Sequence, residues 1–493
     1  MKNLSSLVKS IRDIMRNDPG INGDAQRMEQ IIWILFLKVY SIREENWEFD
    51  EDDYTSIIPE ECQWSNWAVD NGTGKALTGD ELLNFVNNTL FKKLKKIPVT
   101  RETPVRKAIV QTMFAEANQY MKDGVLLRQV INLIDGIDLY DYDGIHAMGD
   151  LYESFLRELQ SAGSSGEFYT PRAITDFMAE RIEPHLGETM ADFACGTGGF
   201  IVSWIKQLDK QVKTAEDIKL RNHSIYGVEK KQFPYMLAIT NLLLHGVDEP
   251  NIVHGNSLTH NVLDYTEADA FDKILMNPPY GGSEKKDVQS FFPKDLAGSE
   301  TADLFMSVIM YRLKTNGRAA VVLPDGFLFG TDNTKLNIKK KLLSEFNLHT
   351  IVRLPQSVFA PYTDITTNIL FFDKTGPTKE TWFYRVDMPE GYKHFSKTKP
   401  IKLEHLKPCQ LWWKNRKVIR DTKGENSYKA NKYSAENIKA NNYNLDLCGY
   451  PTVEEEILSP EETIRHFREK RAILNNKIDR QIQKIEALLG GDA

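Results

Sequence analysis

An α/β fold is predicted for this chain of 493 residues: a doubly wound, seven-stranded sheet with an N-terminal helical domain and a C-terminal helical tail. Three observations predict it. Apolar residues recur at helical spacing through residues 1–160. From 167 to 375, short apolar runs alternate with helix-like ones, the pattern of a mostly parallel sheet covered on both faces. Near the C-terminus a helix-start signal opens one more amphipathic stripe. The expected division is a helical bundle over 1–160, a sheet domain over 161–375, a basic accessory segment over 376–450 and a C-terminal helix over 451–493.

In chain order, Leu4, Leu7, Val8, Ile11, Ile14 and Met15 make the first helical stripe, and Asn17-Asp18-Pro19-Gly20 closes it with a stop and a turn. Further helical runs fall near 24–45, 80–94, 105–118 and 122–134. These stripes read as core, and the bundle either closes over a ligand or partner or caps the sheet domain. The Gly/Ser-rich stretch 161–166 reads as a hinge. Strands are expected at 190–194, 224–228, 251–254, 271–276, 318–323, 348–354 and 367–372. A doubly wound sheet binds ligands beyond the carboxyl ends of its strands, at the switch point. The polar, glycine-bearing stretch 281–300 is either a loop that orders on a ligand or a passive insertion.

Two loops follow strand ends and carry chemistry. After the apolar run 271–276 stands Asn277-Pro278-Pro279-Tyr280. A planar ring amine shares its lone pair with the ring, so making it nucleophilic takes hydrogen-bond acceptors. The side-chain oxygen of Asn277 and the carbonyl of Pro278 can each accept one amine hydrogen as charge develops. Pro278 and Pro279 stiffen the loop and remove two backbone donors, and Tyr280 offers a face for a base to stack on. The bland alternative is a Pro-Pro turn with an aromatic plug. Upstream, 190–194 leads into Cys195-Gly196-Thr197-Gly198-Gly199-Phe200 and a helical run, so the glycines lie on a strand-to-helix turn. Glycines allow close backbone approach, and the helix N-terminus favours a carboxylate. Glu229 ends the next strand, where it can bind ribose hydroxyls. Strand, glycines, helix, strand and acid together outweigh a merely structural Gly-rich turn.

These residues resemble the S-adenosylmethionine-dependent DNA adenine amino-methyltransferases, and specifically the modification subunits of type I restriction–modification systems. The resemblance is close over 149–372 and looser on the flanks. It implies that Glu167, Phe168, Tyr169, Thr170, Pro171 and Arg172 help to bind S-adenosyl-L-methionine ahead of the glycine loop. It likewise implies that Asp192, Ala194, Gly196, Thr197, Gly198 and Gly199 form the cofactor loop, with Glu229 on the ribose and Asn256 and Ser257 near the cofactor's adenine. Asn277, Pro278, Pro279 and Tyr280 take the catalytic place, and Tyr280 and Phe359 supply aromatic walls for a flipped base. Phe193 and Asn256 depart from the family, which usually has a proline at the first position and in related enzymes often a carboxylate at the second. The implied partners are double-stranded DNA, a specificity subunit joined to two copies of this chain, and a restriction subunit. Open alternatives are a protein-glutamine or RNA guanine amino-methyltransferase, and a scaffold that binds cofactor without turnover.

The formal charge of −7 is awkward for a protein gripping DNA alone, because phosphate neutralisation supplies most non-specific affinity. Basic residues between Lys393 and Lys432, interleaved with Trp412, Trp413 and Tyr428, either line a DNA path or form a solvated face. Cysteines 62, 195, 409 and 448 lack any metal-ligand spacing, so a reduced, cytoplasmic protein without a metal site is expected. No signal peptide opens the chain, and 31–37 is too short to span a bilayer. Ser459-Pro460-Glu461-Glu462 reads as a capping box, and Ile464, Phe467, Leu474, Ile478, Ile485 and Leu488 then form a seam suited to a partner's helices.

Overall fold

The structure is a computed structural model that describes residues 4–70, 76–100, 102–137, 152, 169–421, 427–449 and 460–489. The expected hinge at 161–166, together with Glu167 and Phe168, lies outside these residues. All seven predicted strands are present: β1 (Met190–Asp192), β2 (Ile225–Glu229), β3 (Ile252–His254), β4 (Phe271–Met276), β5 (Leu313–Pro324), β6 (Asn347–Arg353) and β7 (Thr367–Asp373). Three more, β8 (Glu380–Arg385), β9 (Ile419–Arg420) and β10 (Tyr428–Ser434), extend the same sheet to ten strands in the order β3-β2-β1-β4-β5-β7-β6-β8-β10-β9. β1 to β5 pair in parallel, and β7 runs antiparallel between β5 and β6.

The chain winds outward from β1 to β3 and then returns to lay β4 on the other side of β1. The winding therefore reverses between β1 and β4. At such a switch point the loops after the two strands part and leave a crevice. Those loops are the glycine loop and the Asn-Pro-Pro-Tyr loop. Because β7 is antiparallel, with Thr367 opposite Pro324 at the end of β5, the segment before β7 lies on the same edge of the sheet.

One expected boundary needs correction. The segment 376–450 is no appendage, because β8 pairs in parallel with β6, with Thr350 opposite Trp382 and Arg353 opposite Arg385. Trp412 is buried against Tyr384 with ring centroids 4.7 Å apart. Most of the basic residues from 393 to 432 stay exposed, Lys432 pairing with Glu380 at the surface, whereas Trp412 is buried. That arrangement removes Trp412 from any surface path for a nucleic acid backbone.

The N-terminal helices also share one compact unit with the sheet. The helix Asp24–Asp50 packs on the helix Gln232–Leu244, which is buried on nearly every side. Arg43 donates to the carbonyl of Leu243 at 2.8 Å, and Gln232 to that of Thr112 at 2.7 Å. The helical bundle thus packs directly on the sheet domain. The first helix, Leu4–Arg16, ends where expected, and Asp18 shows why. Its carboxylate accepts the N–H groups of Gly20, Lys122 and Asp123, tying the turn to the start of the helix Gly124–Asp135.

The stretch 281–300 is anchored to the rest of the fold. Phe292 and Leu296 are buried, Thr301 N–H donates to the Gly282 carbonyl at 3.1 Å, and Lys335 holds Glu300 and Asp303. A second, separate unit contains the helix Pro460–Leu489. Its proline stands at the first helical position as predicted, while Ser459 lies outside the described residues. Among the described residues no helix is long and apolar enough to cross a membrane.

Candidate active site

The glycine loop is built by backbone geometry. Gly196 and Gly198 adopt φ of 54° and 77°, in the left-handed region that side chains disfavour. Gly198 caps the helix Gly199–Asp209. A Cβ added at Gly196 would meet nothing within 4 Å, so the cradle above it is open. A Cβ at Gly199 would collide with the Arg172 guanidinium. Thr197 anchors the loop from below, its carbonyl accepting from Asn241 Nδ2 at 2.9 Å. The sequence reading missed Asn241; the available signal was a lone amide in the otherwise apolar run 235–244.

Carboxyl groups frame the loop. Glu229 accepts the Gly196 N–H at 2.9 Å through one oxygen and the Lys231 N–H at 2.8 Å through the other. A carboxylate has about four lone-pair sites, enough to serve both donors and a ribose diol. Asp192 is 1% exposed and accepts the Ala194 N–H at 3.2 Å. Burial, reinforced by nearby Glu229, pushes its carboxyl up to about 8. Two acids this close favour a ligand carrying positive charge. Burial and the same acids hold the Cys195 thiol well above its ordinary range, so it packs rather than reacts. Ser257 donates to the Phe193 carbonyl at 2.7 Å, and Asn256 Oδ1 accepts the Leu258 N–H at 3.1 Å, closing the turn after β3 beside the loop.

Across the switch point the second loop is held by side chains. Asn277 Nδ2 donates to Thr170 Oγ1 at 2.9 Å, and the Tyr280 hydroxyl donates to Asn277 Oδ1. Tyr280 also reaches the Val322 carbonyl at 3.5 Å, so its ring folds back over the end of β5. Burial raises its hydroxyl well above the ordinary value and keeps the proton on oxygen. Pro278 is buried, Pro279 is exposed, and Asn277 and Tyr280 are half-buried.

The segment 169–172 bridges the two loops. Pro171 caps the helix Arg172–Arg181, which packs along Gly199–Asp209 through a 2.8 Å hydrogen bond between Ser203 and Thr175. That packing places Arg172 against Gly199, with its guanidinium 5.3 Å from the Tyr169 ring, and Thr170 against Asn277. Thr170, expected among the cofactor contacts, therefore reaches the other loop. Phe359 also departs from expectation: its ring is 1% exposed, packed in the core, and offers no face to a base. In the same segment Tyr362 is half-buried.

Fold and site together define a doubly wound α/β domain with a glycine loop and an Asn-Pro-Pro-Tyr loop at one switch point. The family model described as N-6 DNA Methylase matches residues 143–457, and that of the HsdM N-terminal domain matches 4–134. The chain is 45% identical to the Escherichia coli type I restriction enzyme EcoEI methylase subunit, over 99% of each chain. It superposes on a type I restriction enzyme modification subunit from Vibrio vulnificus YJ016 with a TM-score of 0.77 and 41% identity, covering 88% of this chain and 92% of that one. A chain of a type I restriction–modification system solved for its complex assembly gives 0.80 and 33%, covering 100% and 99%. The chain belongs to the N-6 DNA methylase family, as a methylase subunit of the type I restriction–modification kind.

Proposed function

We propose that the chain works in the cytoplasm, methylating the exocyclic N6 amine of an adenine flipped out of double-stranded DNA, with S-adenosylmethionine as methyl donor. A specificity subunit joined to two copies of this chain chooses the sequence, and a restriction subunit completes the complex. One observation carries the reading: Asn277 is held at both ends of its amide beside the β1/β4 switch point, across from the open cradle at Gly196.

The cofactor, when bound, supplies an electrophilic methyl carbon. The chain's residues supply place and polarity. Glu229 would hold the ribose hydroxyls, and Gly196 to Gly199 with the helix N-terminus would take the methionine carboxylate. An amide oxygen has two lone pairs, so Asn277 Oδ1 can keep the Tyr280 hydroxyl and still accept one amine hydrogen. The Pro278 carbonyl accepts the other. Both contacts strengthen as the nitrogen pyramidalises, so they lower the barrier rather than merely bind the base. Tyr280, fixed by its hydroxyl, supplies one stacking face, and Tyr362 replaces the buried Phe359 as the second. Positioning of this kind does much of the catalytic work, and the methylated amine, cationic as it forms, is acidic enough to release its proton to water without a strong general base.

Labelled S-adenosylmethionine supplied to the chain with DNA, with and without the specificity subunit, tests the reading. Label should reach DNA adenine only when the subunit is present. Label on protein glutamine or RNA guanine would replace the adenine assignment, and label on nothing would leave a scaffold.

A further inference from the structure

We infer that Thr170 is a positioning residue for methyl transfer: its hydroxyl holds the Asn277 amide in place, so that the amide oxygen stays within reach of the acceptor amine. The inference rests on the reading that Asn277 Oδ1 accepts an amine hydrogen. An asparagine side chain turns about two single bonds, and a displacement of about 1 Å at a reacting contact costs about 100-fold in rate. Thr170 Oγ1 sits 2.9 Å from Asn277 Nδ2, and the Tyr280 hydroxyl bonds Oδ1, so the amide is fixed from two sides.

Thr170 is itself well placed to act as a fixed post. It precedes Pro171, whose φ of −54° starts the helix Arg172–Arg181, and that helix is tied to the glycine-loop helix by Ser203, which bonds Thr175 at 2.8 Å and Asp176 at 2.6 Å. Two residues further on, Arg172 lies against Gly199. The same short segment thus touches the cradle and the catalytic amide, and it registers one against the other. No contact between Thr170 and the glycine loop is needed for this role.

The test uses the complex with the specificity subunit and its DNA. Thr170→Val keeps shape and removes the acceptor. It should slow single-turnover methyl transfer by about 10–100-fold while the affinity for S-adenosylmethionine stays within about 3-fold of the parent, the pattern of an interaction that matters in the transition state. Thr170→Ser should restore most of the rate. In an Asn277→Ala background, where there is no amide to hold, Thr170→Val should add little further loss. An unchanged rate in Thr170→Val overturns the inference, and so does a rate that falls only in step with cofactor affinity, which would make Thr170 a cofactor ligand. Methyl transfer to an acceptor other than DNA adenine sinks the adenine reading instead, and the ratio of parent to Thr170→Val on that acceptor then decides the role of Thr170. Should the parent transfer nothing, a crystal structure of Thr170→Val decides: a displaced Asn277 side chain supports the post, and an unmoved Asn277 overturns it.

Discussion

At the scale of single residues, Asp192 carries a cost in stability beside the glycine loop. Its carboxyl is raised from 3.8 to about 8, so the folded, ligand-free protein holds a proton there that the unfolded chain has released. The native state then binds more protons between those two values, and stability must fall as pH rises from about 4 to about 8 and level off above. Asp192→Asn keeps the bond to the Ala194 N–H and removes this dependence. Without ligand it should be more stable than the parent at pH 7 by roughly 1–3 kcal/mol, below the ceiling of about 4 kcal/mol that about 1.4 kcal/mol per pH unit sets between 3.8 and pH 7. Thermal melts at pH 5, 7 and 9 would check this; equal melting of the two proteins at all three would show that Asp192 carries no such penalty. The same substitution removes a carboxyl whose proton a bound cation would displace, so the melting shift produced by S-adenosylmethionine should shrink. Little of this was legible beforehand. The glycines, Glu229 and the Asn-Pro-Pro-Tyr loop announce themselves as local patterns, whereas the bond from Asn277 to Thr170 spans 107 positions and leaves no spacing to read. Phe359 is buried by elements distant in sequence, which a loop aromatic does not reveal.

At the scale of elements, the sheet does not stop where its sequence pattern fades. β1 to β7 were readable because each is a short apolar run bounded by polar turns. β8 begins and ends with charged residues, and β10, Tyr-Lys-Ala-Asn-Lys-Tyr-Ser, buries fully only Ala430. Their pairing partners, not their composition, make them strands. β8 covers the outer edge of β6, and Arg385, 3% exposed, binds Asp387 and Asp421 on both sides of the extension. A chain ended after residue 375 would therefore bare the edge of β6 and strip the cover from Phe371, which Trp413 approaches to 4.8 Å. Exposed, unpaired edges associate with one another. The truncated chain should accumulate as insoluble or aggregated protein in sedimentation measurements, whereas a true accessory segment could be removed without that outcome.

For the whole molecule, a net charge of −7 leaves much of the DNA grip to a partner. The helix Pro460–Leu489, about 45 Å long at 1.5 Å per residue, exposes Ile464, Phe467, Ile478 and Ile482. Apolar residues repeated along one helix and left open to water suit a helix-to-helix seam. Phe467→Glu should weaken association with the specificity subunit by at least tenfold, as expected for an aromatic anchor, while S-adenosylmethionine binding is unchanged; unaltered association would place the seam elsewhere. The most direct test of the central claim, that one amide oxygen is aimed at the acceptor amine beside the cofactor cradle, is the single-turnover rate of Asn277→Ala in the complete complex, measured together with its cofactor affinity. Removing a catalytic acceptor should cost about 100–1,000-fold in rate and leave S-adenosylmethionine binding nearly intact. An Asn277→Ala complex that methylates DNA at close to the parental rate would contradict the account.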